Sequence, residues 1–261
     1  MNRKTLSSIA PLALLLGASG CGGGSGRKEA GKTDAPAATT AFTKVDPATA
    51  ATITGKVAFT GKAPARNRLN MDAEPDCKAL HSAPVLGEEV VVNANGTLAN
   101  VFVYVKAGLE GKTFEPDPGG IAFDQKGCVY KPHVAGVRAG QLISITNSDP
   151  TTHNIHPMPK VNREWNRSQP PKGANIEQSF PRPEIMIPVK CNVHPWMKSY
   201  IGVVDHPFFA VTGEQGTFEI KGLPPGEYTI AAWHEKYPAM EQKVTLAASA
   251  SQTVAFTFKG D

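Results

Sequence analysis

No apolar run in this 261-residue chain is long enough to cross a bilayer permanently. The longest, Ile9 to Gly17, is less than half of the ~20 residues that a spanning helix needs. No block of Lys and Arg accumulates, and a formal charge of +4 is small for the length, so the composition argues against a nucleic-acid partner. No stretch carries apolar residues at a sustained helical period, which argues against a helical or α/β fold. The chain has no C-x-x-C-H, G-x-S-x-G or H-E-x-x-H. It therefore lacks a haem-attachment signature, a hydrolase nucleophile elbow and a zinc-protease helix. The nearest approach is His234-Glu235, which has no second His four residues on. The chain does not read as an enzyme.

The first 20 residues read as a targeting segment: a positive start at Arg3-Lys4, a short apolar run, and small residues Ala18-Ser19-Gly20 ahead of Cys21. Cleavage there removes Arg3 and Lys4 and no acid, leaving a charge of about +2. A Cys directly after such a site resembles a bacterial lipobox, although Ala18 stands where the usual pattern has Leu. The resemblance implies lipid on Cys21 and an exported chain anchored on the periplasmic side of a bacterial membrane. Plain cleavage, with Cys21 incidental, is the alternative. Residues 21–50 follow Cys21 with Gly-Gly-Gly-Ser-Gly and continue Ala/Thr/Lys-rich, as a disordered tether would.

From residue 51 the pattern turns to strands, cut by many of the 25 glycines and 22 prolines. Strands are expected at 52–59, 89–93, 98–106, 141–147, 185–190, 200–205, 217–221, 228–233, 243–246 and 253–258. Asn95-Gly96 marks a hairpin turn. Residues 62–88 look irregular, and 157–183 read as a long loop with at most one strand. The fold class is all-β, with sandwich architecture.

The most informative stretch is Cys191-Asn192-Val193-His194-Pro195-Trp196-Met197. It sets a thiolate, an imidazole and a thioether at C-x2-H-x2-M spacing on one short loop. A soft thiolate with imidazoles and a weak axial thioether is a donor set that favours copper. A second imidazole is needed, and the segment Asp149 to His156 offers His153 or His156. On an extended strand 153 and 155 share a face while 156 points away.

Residues 119–206 resemble a cupredoxin domain. The ligand loop, with Pro195 after His194, is similar to that of amicyanins. The strand–loop–His153-Asn154 arrangement, with the strand Val137 to Asn147 before it, is similar to amicyanins and plastocyanins. The resemblance implies a Greek-key sandwich over 89–206 and one type 1 copper ion on His153, Cys191, His194 and Met197. It implies that Asn154 ties the two ligand loops together, and it favours His153 over His156. His194 would be the solvent-facing ligand and the way out for the electron. Pro195 and Trp196 would form a docking patch for a redox protein such as a cytochrome, oxidase or dehydrogenase, and packing of Trp196 beneath the loop is equally open. One cysteine on the ligand loop is too few for a dinuclear copper centre, and seven histidines are too few for a multicopper oxidase.

With Cys21 assigned to lipid and Cys191 to metal, Cys77 and Cys128 remain of the four cysteines. In an oxidising compartment they are expected to pair as a disulfide. A second metal site built on Cys77 and His81 is the alternative. Further on, 212–233 carries G-x-F-x-I-x-G-L-P-P-G-x-Y-x-I, which resembles the carboxypeptidase regulatory-like domain, a small transthyretin-like sandwich. Residues 207–261 are short for it, and the strand 52–60 is expected to complete it, with the cupredoxin-like part inserted between. The implied function is a membrane-tethered periplasmic copper protein carrying electrons. Copper storage, delivery or sensing, and a non-metal exported interaction module, are the alternatives.

Overall fold

The structure, a computed structural model, describes residues 41–260. The targeting segment, Cys21 and most of the tether lie outside them. In chain order the described residues form β1 (Ala51–Thr60), α1 (Pro75–Ala79), β2 (Phe102–Ala107), β3 (Ile121–Gln125), β4 (Tyr130–Lys131) and β5 (Val134–Arg138). Then come β6 (Ile143–Asn147), β7 (His153–Pro157), β8 (Arg167–Gln169), β9 (Ile176–Gln178), β10 (Glu184–Lys190) and β11 (Lys198–Val204). The last five are β12 (Phe209–Val211), β13 (Thr217–Leu223), β14 (Gly226–Trp233), β15 (Met240–Leu246) and β16 (Ser251–Lys259). The fold is all-β. No helix of the described residues is long and apolar enough to cross a membrane.

Four sheets make two sandwiches. The terminal sandwich faces β13-β1-β16 with β12-β2-β14-β15. Its core includes Ile53, Val57, Val103, Ile230 and Phe256. The period-2 pattern explains the packing: along β16 the buried residues are Val254, Phe256 and Phe258, with exposed residues between them. The first strand, β1, lies between β13, to which it runs antiparallel, and β16, to which it runs parallel. The inserted sandwich faces β5-β11-β10-β7-β8 with β4-β3-β6-β9 around Phe123, Tyr130, Ile145, Ile155, Ile187 and Ile201. It leaves the terminal sandwich after β2 and returns at β12, and those two strands pair antiparallel.

The pairing of β2 corrects the boundary placed at 89. The strand joins β12 and β14, so the 89–107 stretch belongs with the terminal sandwich. Val103 and Val105 enter its core, while Phe102 lies in a second apolar cluster with Val134, Met186 and Val204 of the inserted sandwich. A strand apolar on both faces fits either sheet by pattern alone. Residues 89–93 form no strand. The turn at Asn95-Gly96 brings back only one bridge, Val92 to Leu98. The tether also ends before 50: Thr43 N–H donates to Thr113 O, Val45 packs on the terminal core and Ser249 N–H donates to Thr49 O.

Gly136 and Gly202 are register partners on β5 and β11. A Cβ on Gly136 would lie 2.6 Å from Phe209 and 2.7 Å from Phe102, and one on Gly202 would lie 2.8 Å from Phe102. Absence of side chains there lets aromatics of the terminal sandwich lie against the inserted sheet.

Candidate metal centre

Strand β7 begins at His153, and β10 ends one residue before Cys191. The two strands are antiparallel neighbours, with Lys190 opposite His156 and Val189 opposite Pro157. This pairing brings the segment around His153 to the loop 191–197. The loop is a tight turn: Met197 N–H donates to His194 O at 2.9 Å, and Cys191 N–H donates to Met197 O at 3.3 Å. His194 N–H donates to Cys191 Sγ at 3.3 Å.

Three donor atoms converge inside. The Nδ1 atoms of His153 and His194 are 2.9 Å apart, and Cys191 Sγ is 3.9 Å from His194 Nδ1. Ligand atoms of these three buried residues all lie within 4.8 Å of one another. Met197 is fully buried in the same apolar cluster as Cys191. Asn154 Oδ1 accepts from Asn192 N–H at 2.7 Å and Val193 N–H at 3.3 Å, and lies 3.3 Å from Cys191 Sγ. One side chain on β7 thus holds the other ligand loop.

His156 is not part of this cluster. It sits on the opposite side of the strand, with Nδ1 3.0 Å from Asn192 Oδ1 and Nε2 2.6 Å from Glu164 Oε1. His206 and His234 are buried in other surroundings, and His133 pairs with Glu235 at 3.0 Å.

Asp149 is the residue that the sequence reading passed over. Its Oδ2 is 2.9 Å from His153 Nε2, and its two oxygens accept from Gly127 N–H at 2.6 Å and Cys128 N–H at 2.7 Å. Burial opposes its charge, but the bonds from His153 and these amides outweigh that and hold its carboxyl below the usual range. Burial likewise disfavours a charged His153, yet Asp149 and Cys191 outweigh it and raise the imidazole's proton affinity. With Nε2–H held by Asp149, loss of the other ring proton leaves the lone pair of Nδ1 turned toward Cys191 and His194. Burial also pushes the Cys191 thiol up, but the hydrogen bond with His153 and those from Asn154, His194 and Val193 more than reverse it. The shift is toward the thiolate, the form that ligates metal. Burial and the neighbouring His153 lower His194, keeping it neutral. The signal for Asp149 was available: an Asp-Pro turn four residues before a candidate ligand.

His194 is not the solvent-facing residue expected. It is fully buried, because a strap formed by residues 71–81 closes over its outer edge. Cys77, on α1, is disulfide-bonded to Cys128, and its Sγ lies 3.6 Å from His194 Nε2. Glu74 Oε2 is 4.0 Å from the same nitrogen. His81 serves the strap rather than a metal, with Nε2 2.9 Å from Gly127 O. Pro195 is exposed. Trp196 is half-buried, its Nε1–H donates to Cys128 O at 2.9 Å, and its ring centroid lies 5.1 Å from that of His194.

No family model matches the chain, and no curated protein matches it. Part of it is similar to solved structures. One is the Cu(I) form of an amicyanin mutant, at 20% identity over 34% of this chain and 86% of that one, TM-score 0.29. Another is a purple cupredoxin from Nitrosopumilus maritimus, at 19% identity over 31% and 97%, TM-score 0.27. A third is a copper-containing nitrite reductase from Thermus scotoductus SA-01, at 20% identity over 38% of this chain and 25% of the reductase, TM-score 0.30.

Proposed function

We propose that the chain is an exported, lipid-anchored type 1 copper protein that carries electrons and performs no catalysis of its own. The observation that carries this reading is the convergence of Cys191 Sγ with the two Nδ1 atoms of His153 and His194 in a buried pocket. The donors fit: one sulfur inclined to be thiolate, one imidazole fixed in its tautomer by Asp149, and one kept neutral by burial. Copper held there by His153, Cys191, His194 and Met197 would supply one-electron redox chemistry.

The chain's own residues do the rest. Asn154 locks the loop to β7 and Asp149 locks the His153 ring, so the donors are placed before any ion arrives. The strap and the apolar core keep water from the sulfur. A redox partner, a cytochrome, oxidase or dehydrogenase, would dock beside the strap at Val193, Pro195 and Trp196. Exposed Lys198, Arg163 and Arg167 would favour an acidic face. The closed cover over His194 is the observation favouring a second reading, copper storage or delivery, in which retention matters more than exchange of electrons.

The test is a visible absorption spectrum of the protein with Cu(II). An intense thiolate-to-copper band that vanishes in Cys191→Ser supports the type 1 site. No band, or one that survives the substitution, defeats it. Rapid copper loss to a chelator, without reversible redox, would select the second reading.

A further inference from the structure

The strap does more than cover His194, because it puts a disulfide-bonded sulfur at the ring's outer nitrogen. Cys77 Sγ lies 3.6 Å from His194 Nε2. An ion bonded to a thiolate at ~2.3 Å and to an imidazole at ~2.0 Å in a tetrahedral site spaces those atoms by roughly 3.5 Å. Cys128 is the disulfide partner, with Cα atoms 5.6 Å apart. Opened to thiols, the pair needs only side-chain rotation to reach the roughly 3.8 Å between two thiolates on one ion. Two carboxylates stand by: Glu74 Oε2 at 4.0 Å from Nε2, and Asp149, which shares a cluster with Cys128 and His153. Cys77, Cys128 and His194 are all fully buried.

We propose that Cys77 and Cys128, when reduced, form with His194 Nε2 a second metal site for a soft ion such as Cu(I), and that the disulfide abolishes it. Two thiolates and an imidazole are a soft donor set. His194 would then offer Nδ1 toward Cys191 and Nε2 toward the cysteine pair, and filling both positions at once would also displace the ring's one N–H proton, leaving an imidazolate.

Both cysteines are held in place by contacts other than the disulfide. Cys128 N–H donates to Asp149, Cys128 O accepts from Trp196, and Gly127 O is bonded to His81. On the other side Met71 and Leu69 pack into the core, and Leu69 N–H donates to Val85 O at 2.9 Å. Opening the bond takes two electrons and two protons. A dithiol donor supplies both and leaves as a cyclic disulfide, and Cu(I) then displaces the thiol protons.

The experiment is Cu(I) titration from its bicinchoninate complex, without oxygen. Protein with the disulfide intact is compared with protein reduced by a water-soluble phosphine, which takes oxygen from water and leaves two thiols. The expected result is one additional Cu(I) per chain after reduction, in the wild type and in Cys191→Ser alike. The Cys77→Ala/Cys128→Ala double variant should gain none. Equal stoichiometry before and after reduction overturns the proposal, as does an equal gain in the double variant. So does loss of the far-ultraviolet strand spectrum on reduction, since the ligands are then no longer held together. The Cys191→Ser arm separates this inference from the type 1 reading. A blue Cu(II) band with no extra Cu(I) site leaves that reading standing alone, and an extra site without the band does the reverse.

Discussion

Four histidines are buried among the described residues, two in each sandwich, and they behave in opposite ways. In the inserted sandwich His153 is held between Asp149 and His194, with the Cys191 sulfur near. In the terminal sandwich His206 donates from Nε2 to Val105 O at 2.8 Å, accepts at Nδ1 from Phe208 N–H, and stacks on Phe208. His234 accepts from Lys236 N–H and lies against Tyr237 and Phe258. Burial is therefore no mark of a ligand. What separates the pairs is whether the ring nitrogens face other donors that a metal could share, or are consumed by backbone groups and aromatic faces.

The largest test of that difference removes one ring from each region. With Cu(II) at a thousandfold excess over its dissociation constant, ligand linkage should stabilise the wild type by about 4 kcal/mol. His194→Ala should abolish that gain, whereas His206→Ala should keep it while lowering the stability of the copper-free protein by about 1–3 kcal/mol, because Val105 O loses its donor. Thermal unfolding with and without Cu(II) reads both, and equal copper effects in the two variants would erase the distinction.

The next effect is in acid. Burial, with His133 nearby, pushes His234 down to about 4. Below its ordinary value near 6.5 the unfolded chain takes a proton that the folded chain refuses, so stability falls as pH drops from 6.5 toward 4 and levels off below. The lost contribution is about 3 kcal/mol, at 1.36 kcal/mol per pH unit between the two values. Denaturant unfolding of His234→Phe should show a flatter acid limb than the wild type, and an unchanged limb would mean that the ring is not held neutral.

How much of this was legible beforehand depends on where the determinant lies. The ligand loop was legible because its chemistry is local: Cys191, His194 and Met197 sit within seven residues. The alternating strands at 253–258 and 217–221 were legible because one face of each is buried. The partner sheet of β2 was not, since both its faces are apolar. The strand β3 was missed because it is only five residues long, and the start of β5 because Gly136 interrupts it. The strap over His194 was invisible for another reason. Residues 71–81 reach it through side-chain contacts 117 residues apart in sequence, between Cys77 and His194, and no periodicity records such a contact.

Asp149 tests whether the inserted sandwich owes its character to what stands behind the rings. Asp149→Asn keeps the shape and removes the charge behind His153. Loss of such an outer partner typically lowers metal affinity 10–100-fold. Competition against a chromophoric chelator should show a shift of that size in the variant, with the blue band retained. An unchanged affinity would mean that the carboxylate only fastens the Cys128 hairpin.

The smallest expected effect falls on His156, which lies three residues from His153 on the other side of the same strand. Its partners are Asn192 and Glu164, and Glu164 is 59% exposed, so solvent screens that pair. An exposed pair of this kind contributes about 0–1 kcal/mol. His156→Ala should cost no more than that and leave the blue band in place, while His153→Ala should remove it. The reverse outcome, colour lost with His156 and kept without His153, would move the upstream ligand to the opposite side of β7. That would require the strand to turn over between Asn154 and Pro157, against the pairing of Lys190 with His156 and the bonds that Asn154 makes to the ligand loop.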